Sequence, residues 1–227
     1  MFFLVTDTSG RNGIVALARA DERTQHGEVT IIETVPLAGG TFSAQLVPQI
    51  ASLLAKHSLT KADLGAFIVV SGPGSFTGLR VGLAAIKALA EILKKPIVPV
   101  SLLEVIALAA HMQGGIASAL DAGRGDVYFG SYDITDNSVQ MLEEQLLSKP
   151  EFLFASRGSM LATPDAALAA SAREANLSVL VVEPADAAAI ARLGWEKLQS
   201  GESVSPQRLE ANYMRRSDAE IFVKKNS

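Results

Sequence analysis

The feature that most limits how this chain can fold is an opening pattern that occurs twice, about half the chain apart. One apolar run ends at Asp7-Thr8-Ser9-Gly10-Arg11, and another ends at Asp121-Ala122-Gly123-Arg124-Gly125. In both places an aspartate closes the run, small residues form a turn, an arginine follows and a new apolar run begins. Such internal similarity predicts that one supersecondary unit is present twice. We therefore expect two related lobes.

The order of elements agrees with this duplication. Three predicted strands come first, and apolar residues at helical spacing then alternate with further strands, which predicts the order βββαβαβα. We expect an α/β protein with lobes at 1–100 and 101–227, the last segment packing back on the first lobe. The predicted strands are Phe2–Thr6, Ile14–Arg19, Glu28–Leu37, Ala66–Ser71, Ile97–Val100, Ile116–Leu120, Val127–Asp133, Val139–Leu147 and Ser178–Val182. The predicted helices are Ser43–His57, Thr77–Lys94, Ser101–Ala110, Pro164–Ala175 and Ala185–Gly201, the last two completing the second lobe.

Composition excludes several classes of chemistry. The 227 residues include no cysteine, so disulfides, thiolate metal sites and cysteine nucleophiles are excluded. The net charge is −4, and the nearest approach to a basic stripe is Arg215-Arg216 with Lys224-Lys225. Neutralisation of phosphates by basic side chains supplies most of a protein's affinity for nucleic acid. For an acidic chain such as this one, a partner would have to supply most of any affinity for RNA. The start reads as a strand, not a signal peptide, and no apolar run fits a membrane span, so we expect a cytoplasmic protein.

The most informative segment is Ser71-Gly72-Pro73-Gly74-Ser75-Phe76-Thr77-Gly78-Leu79-Arg80, which joins a predicted strand to a predicted helix. Free amides at such a helix start can receive an anion. The segment is neither a Walker loop, because no Lys-Ser/Thr pair follows Gly78, nor a dinucleotide fingerprint, because its third glycine falls one place late. A tight turn with Thr77 capping the helix is the preferred interpretation on chemistry alone.

The same segment, extended to Gly82, resembles the signature of the TsaB (YeaZ) family. Three other stretches agree with that family: Thr6–Ser9 with its opening Asp-Thr-Ser, Asp121–Tyr128 with its Asp-Ala-Arg and Glu-Val-Tyr block, and Tyr213–Arg215 with its C-terminal Tyr-Leu-Arg. The departures are Gly123 before the arginine, Asp126 in place of a glutamate, and Ala211 where a proline is usual. The similar stretches span nearly the whole chain.

The resemblance implies an actin-like (ASKHA, ribonuclease-H-like) duplicated fold with two lobes. It also implies a role in forming threonylcarbamoyladenosine next to the anticodon of ANN-decoding tRNAs. In that pathway the catalytic transferase is TsaD, which TsaB binds and activates as a heterodimer, and the ATPase TsaE is a third bacterial component. The tRNA is then held mainly through partners, and the isolated chain is expected to be a homodimer or a monomer.

The residues that the resemblance aligns with the transferase's metal site cannot bind a metal. The transferase carries a His-Met-Glu-x-His-type block after a Pro-Val strand end, and the matching stretch here is Pro99–Ile106. Leu102 and Ile106 stand where imidazoles are needed, and neither can coordinate a metal. The three histidines, His26, His57 and His111, are dispersed along the chain. We expect no metal, no cofactor and no catalysis by this chain.

Two further sites are expected. Asp7, Thr8 and Ser9 match the phosphate hairpin of actin-like proteins, so a weak nucleotide site is one interpretation, although a turn acid that bonds its own backbone amides is favoured. The helix Thr77–Lys94 has an apolar arc wider than one core-facing stripe requires. With the helix Ser43–His57, it is expected to form the partner surface that the resemblance implies. The residues chosen for that surface are Leu46, Ile50, Leu53, Gly78, Gly82, Ala85, Ile86 and Leu89.

Two other functions remain open at the level of sequence. An ATP-dependent phosphotransferase or ATPase is permitted by the expected fold, and it would need phosphate-binding elements in both lobes plus a catalytic acid. A glycoprotease-like peptidase ranks last, because the chain has no zinc motif and spacing alone cannot show a Ser-His-Asp triad. The leading interpretation is therefore a binding subunit.

Overall fold

The computed structural model describes residues 1–21, 28–136 and 138–214. The chain divides into two compact units. The first consists of Met1–Ser101 and Asp186–Asn212, and the second takes Leu102–Ala185 and resumes at Tyr213. His26, Arg215 and the basic residues after it lie outside the described residues.

The first unit is one mixed sheet. Its strands are β1 (Phe2–Asp7), β2 (Gly13–Ala20), β3 (Val29–Leu37), β4 (Leu64–Gly72) and β5 (Ile97–Ser101). They lie in the order β3-β2-β1-β4-β5, antiparallel among the first three and parallel from β1 through β4 to β5. Helix α1 (Phe42–Lys56) connects β3 to β4, and α2 (Phe76–Leu93) connects β4 to β5. The buried faces of both helices pack with the sheet into one apolar core.

The second unit repeats this plan. Its strands are β6 (Gly114–Gly123), β7 (Asp126–Ile134), β8 (Val139–Ser148), β9 (Met160–Thr163) and β10 (Val179–Val181), in the order β8-β7-β6-β9-β10. The remaining helices are α3 (Leu102–Leu108), α4 (Lys149–Ala155), α5 (Ala166–Glu174) and α6 (Ala187–Gln199). Strand order and direction match the first sheet strand for strand, which confirms the predicted duplication. No helix in the described ranges combines the length and apolar character needed to cross a membrane.

Helix α6 lies in the first unit, which corrects its assignment to the second lobe. The indole ring of Trp195 in α6 stacks on the Phe3 ring of β1, and the two ring centroids are 6.0 Å apart. A Cβ on Gly194 would lie 2.4 Å from the Ile68 side chain of β4, so the glycine lets α6 approach the sheet closely. Conversely α3, which follows β5, packs on β6, β7 and β9 of the second unit. The helix after each fifth strand therefore belongs to the other unit.

Helix starts and short elements account for the other differences. Helix α1 begins at Phe42, one residue before the predicted Ser43, and Thr41 precedes it without capping it through its side chain. The cap of α2 is Ser75, whose hydroxyl accepts from the Gly78 amide, and not Thr77. Helix α4 and strand β9 were not predicted, although the capping box of Ser148 and Glu151 marks the start of α4 in the sequence.

Candidate functional site

The glycine-rich segment after β4 is shaped by close contact with the turn between β1 and β2. A Cβ on Gly74 would lie 2.4 Å from the Ser9 carbonyl oxygen, and one on Gly78 would lie 2.0 Å from the Thr8 carbonyl oxygen. A Cβ on Gly82 would lie 2.1 Å from the Thr8 hydroxyl. Gly78 and Gly82 are four residues apart and so share one face of α2. The motif therefore lets α2 pack directly on the β1–β2 turn.

Polar bonds reinforce this contact. The Thr8 hydroxyl donates to the Gly78 carbonyl at 2.8 Å, in a buried position. The Ser75 amide donates to the Ser9 carbonyl at 2.6 Å. The turn and the start of α2 thus form one hydrogen-bonded block at an edge of the first unit's core.

The Asp7 carboxylate stabilises the turn between β1 and β2 by accepting hydrogen bonds from within it. Its carboxylate accepts from the Ser9 amide at 2.8 Å and from the Ser9 hydroxyl at 2.6 Å. Asp121 occupies the matching place in the second unit, where its carboxylate accepts from the Gly123 amide at 2.9 Å. An aspartate that bonds the amide two residues later stabilises a turn by itself. Asp7, Thr8 and Ser9 are thus brought together and engaged within the chain, and their binding of a nucleotide stays a prediction.

Burial raises the pKa of the Asp7 carboxyl above its ordinary value of 3.8, and the hydrogen bonds from Ser9 lower it in part. At pH values between 3.8 and the raised pKa, the Asp7 carboxyl therefore holds a proton more often in the folded chain than in the unfolded chain. The contribution of this carboxyl to the free energy of unfolding thus falls as pH rises through that window. Asp7→Asn keeps an oxygen acceptor for Ser9 but has no charge to desolvate. We expect it to be more stable than the wild type at pH 7, with a smaller fall across the window, in urea unfolding at several pH values.

Glu33 provides a control of opposite sign. Hydrogen bonds from Lys56 and His57 lower the pKa of its carboxyl, so its contribution is present at neutral pH and lost as pH falls. Glu33→Gln should therefore lower stability at pH 7 and change little in acid. An Asp7→Asn profile parallel to that of the wild type would mean that Asp7 is not desolvated in the folded chain.

The structure places most of the predicted partner-surface residues inside the chain. The side chains of Leu46, Ile50, Leu53 and Ile86 are buried in the core beneath α1 and α2. Gly78 and Gly82 are buried against Thr8. These six cannot contact a partner while the fold is intact, so their choice is corrected. Ala85 and Leu89 are partly buried and border the core.

The outward faces of the same helices are also apolar. On α1 the exposed side chain of Val47 is 48% accessible, and on α2 that of Ile92 is 75% accessible. Further exposed apolar residues recur at helical spacing on the side away from the core: Ala44, Pro48, Ala51 and Ala55 on α1, and Ala84 and Ala88 on α2. Helices α1 and α2 pack against each other. We call these eight residues the α1–α2 face.

Charged residues lie on α2 beside this face. Arg80 is exposed and stands over the Phe76 ring, 4.3 Å from its centroid. Glu91 pairs with Lys94 at 3.6 Å and accepts from Gln207 at 2.8 Å. Lys87 is partly exposed on the same side of the helix. The α1–α2 face therefore has an apolar centre of small side chains and a mainly basic margin.

The stretch aligned with the transferase's metal block forms α3. Ile106 is buried in the second unit's core, and Leu102 is partly buried at the first position of the helix. Within the described ranges, no three acidic or histidine side chains are grouped so that they could hold a metal ion. What α3 contributes here is apolar packing.

Comparisons with known proteins agree with this architecture. The protein-family model described as "TsaD: tRNA N6-adenosine threonylcarbamoyltransferase" matches residues 35–169, more than half of the chain. The tRNA threonylcarbamoyladenosine biosynthesis protein TsaB of Bacillus subtilis is 34% identical over 143 residues, which are 63% of this chain and 59% of that protein. The protein of the same name from Escherichia coli is 31% identical over 113 residues, 48% of this chain and 49% of that protein. The chain thus matches about half to three fifths of the length of these relatives.

Solved structures share the fold across most of the chain. YeaZ from Pseudomonas aeruginosa superposes with a TM-score of 0.70 at 21% identity, over 93% of this chain and 99% of that one. The Lmo2764 protein of Listeria monocytogenes gives a TM-score of 0.51 at 11% identity, over 88% of this chain and all of that one. At these identities the likeness concerns the fold alone.

The two matched sheets and these neighbours define an α/β protein of the actin-like class, in which one βββαβαβα unit occurs twice. Within that class, the family match and the TsaB relatives decide the family. The chain belongs to the TsaB (YeaZ) family.

Proposed function

We propose that this chain is a non-catalytic subunit that binds and activates a TsaD-type transferase in the formation of threonylcarbamoyladenosine next to the anticodon of ANN-decoding tRNAs. The α1–α2 face is the observation that carries the proposal. Two neighbouring helices that bury one apolar side in their own core expose a second apolar side to solvent. Exposed apolar patches of this kind are typical of protein–protein interfaces.

The chemistry of the face favours a helical partner. Alanines at Ala51, Ala84 and Ala88 permit close approach of another helix, and Val47 and Ile92 offer larger apolar contacts. The centre of such an interface is desolvated, and a few residues there carry most of the binding energy. The margin, with Arg80 and Lys87, favours a partner whose rim is acidic.

Under this proposal, the partners supply both the catalytic chemistry and most of the tRNA binding. With Leu102 and Ile106 in α3, the chain offers no imidazole where the transferase holds its metal, so chemistry is assigned to the partner. Because the chain has a net charge of −4, we also assign tRNA binding mainly to the partners. A TsaE-type ATPase is the third component, and a homodimer through the α1–α2 face is the state proposed for the isolated chain.

The test places a carboxylate in the centre of the α1–α2 face. Ala51→Glu would bury an unpaired charge on binding, which costs several kcal/mol. We expect the Kd for the organism's own TsaD-type transferase to rise at least a hundredfold, about 2.8 kcal/mol. Threonylcarbamoyladenosine in total tRNA should fall in cells that rely on the variant. Titration calorimetry and nucleoside mass spectrometry provide the two measurements.

A matched control comes from the second unit. Ala170 is an exposed alanine of α5, so Ala170→Glu makes the same change on a helix outside the face. It should leave both binding and tRNA modification unchanged. Because Ala51 is exposed, its variant should melt within a few degrees of the wild type. A folded Ala51→Glu chain that binds the transferase normally would refute the proposed surface.

A further inference from the structure

The second unit contains an open groove at the amino ends of β9 and β10. Its walls are the loops 156–159 and 175–178, which follow α4 and α5 and lead into these strands. The groove has a volume of about 510 Å³, within the range of roughly 300–1,000 Å³ that is typical of small-molecule sites. Asp121 lies near the carboxyl end of the neighbouring parallel strand β6, so the groove is separate from the turn that Asp121 stabilises.

Polar side chains that the fold does not use line this groove. Among the described residues, the side chains of Arg157, Ser159, Asn176 and Ser178 form no hydrogen bond or ion pair with the rest of the chain. Arg157 is the one charged residue among the nine that line the groove. The groove therefore offers a ligand one positive charge, hydroxyl groups and a side-chain amide.

The helix ends beside the groove do not cancel this charge. A helix C-terminus favours a cation when its last carbonyl groups are free, and both α4 and α5 end next to the groove. Here those carbonyl groups are engaged: that of Phe152 accepts from the Ser156 amide and hydroxyl, and that of Ala172 accepts from the Leu177 amide. The Arg157 guanidinium is thus the main charge available to a ligand, and guanidinium groups bind phosphate well.

An exposed aromatic ring adjoins Arg157. The side chain of Phe154 is 71% accessible, and the Arg157 guanidinium lies 5.4 Å from the centre of its ring. Aromatic side chains stack on the unpaired bases of nucleic acids, and arginines neutralise the phosphates. Inorganic phosphate would use the charge alone, whereas a ligand that joins a planar ring to an anion would use both side chains.

We infer that this groove binds a nucleotide, with its phosphate on Arg157 and its base against Phe154. The hydroxyls of Ser159 and Ser178 and the amide of Asn176 then contact the ribose and the edges of the base. This chemistry is common to a free nucleotide and to a nucleotide of single-stranded RNA. The inference goes beyond the proposed function, which assigns most of the tRNA binding to the partners.

Nuclear magnetic resonance titration of the full-length chain, without any partner, tests the inference. The probes are adenosine 5′-monophosphate and single-stranded hexaadenylate RNA, and the amide shifts should change most at 156–159 and 175–178. Arg157→Gln should raise the Kd of each probe roughly tenfold, because a charged hydrogen bond to phosphate is lost. For the RNA, it should also reduce the slope of log affinity against log salt by about 0.7, the value for one phosphate contact.

Other variants test the base contact and the groove itself. Phe154→Ala should raise the Kd of each probe about fivefold, whereas Phe154→Trp should not raise it, because tryptophan keeps a ring for stacking. Ser178→Glu places a carboxylate in the groove at an exposed position, so it should leave the fold intact and abolish binding of both probes by repulsion. Arg192→Gln is the matched control: it removes an exposed arginine of α6 in the first unit and should leave both Kd values unchanged.

The two affinities also identify the source of the nucleotide. A lower Kd for the hexamer than for the monophosphate indicates RNA, and an equal or higher one indicates a free nucleotide; either result supports the inference. Inorganic phosphate that binds as tightly as the monophosphate, with no effect of Phe154→Ala, would show a simple anion site and overturn the inference. So would the absence of binding at millimolar probe, or shifts that leave 156–159 and 175–178 unchanged.

Discussion

Gly78→Ala should destabilise the chain by about 3 kcal/mol or more, because its new methyl group would meet a backbone oxygen that cannot move aside. The Cβ would lie 2.0 Å from the Thr8 carbonyl oxygen, and that residue is fixed in the sheet turn by its own bond to the Gly78 carbonyl. Relief requires α2 to shift away from the turn, and such overpacking costs typically 1–3 kcal/mol and occasionally more. Urea unfolding measures the loss.

Gly82→Ala distinguishes a side-chain clash from a backbone clash. Its Cβ would meet the Thr8 hydroxyl at 2.1 Å, so Thr8→Ala in the same chain should recover part of the stability lost. The same second change should not rescue Gly78→Ala. Gly115→Ala is the control, because the nearest atom to its Cβ is the Ser159 hydroxyl at 3.6 Å, and we expect a change within about 0.5 kcal/mol. A Gly78→Ala chain as stable as the wild type would mean that α2 does not approach the turn.

The duplication could be predicted from the sequence because it rests on local chemistry. Asp7 is the last residue of β1 and Asp121 lies two residues before the end of β6, and the carboxylate of each accepts from the amide two residues later, so a similar turn occurs in both halves. Most strand and helix positions follow for the same reason, since periodicity and turn residues act over a few positions. Strand β9 was not predicted because its four residues, Met160–Thr163, contain one β-branched side chain, whereas the three residues of β10, Val179–Val181, contain two.

The sequence could not predict which residues of α1 and α2 are exposed, because both sides of each helix are apolar. Ile86 and Ala88 are two positions apart on α2, and only packing decides that Ile86 faces the core while Ala88 faces solvent. Hydrophobicity alone favours the larger side chains, so Leu46, Ile50 and Leu53 were chosen on α1, although Ala51 and Val47 are the exposed ones. The informative signal was a second stripe of small residues at helical spacing.

The place of α6 depends on contacts between residues far apart in the sequence. It follows β10 of the second sheet along the chain but packs on the first sheet, and Trp195 and Phe3 are nearly two hundred positions apart. Nothing local in Ala187–Gln199 indicates which sheet it will meet. The duplication itself supplies the missing rule, because α3 makes the reciprocal exchange after β5.

Trp195→Ala provides the strongest test of whether α6 packs on the first sheet. The indole is 3% accessible and stacks on Phe3 at an interplanar angle of 11°, and removing a buried tryptophan typically costs 3–5 kcal/mol. Phe154→Ala removes an exposed aromatic ring of α4 in the second unit and should change stability by less than about 0.5 kcal/mol. Amide exchange locates the effect: in Trp195→Ala, protection should fall first in β1 and β4 of the first sheet. A loss of protection confined to β6–β9 would place α6 on the second sheet and contradict the exchange.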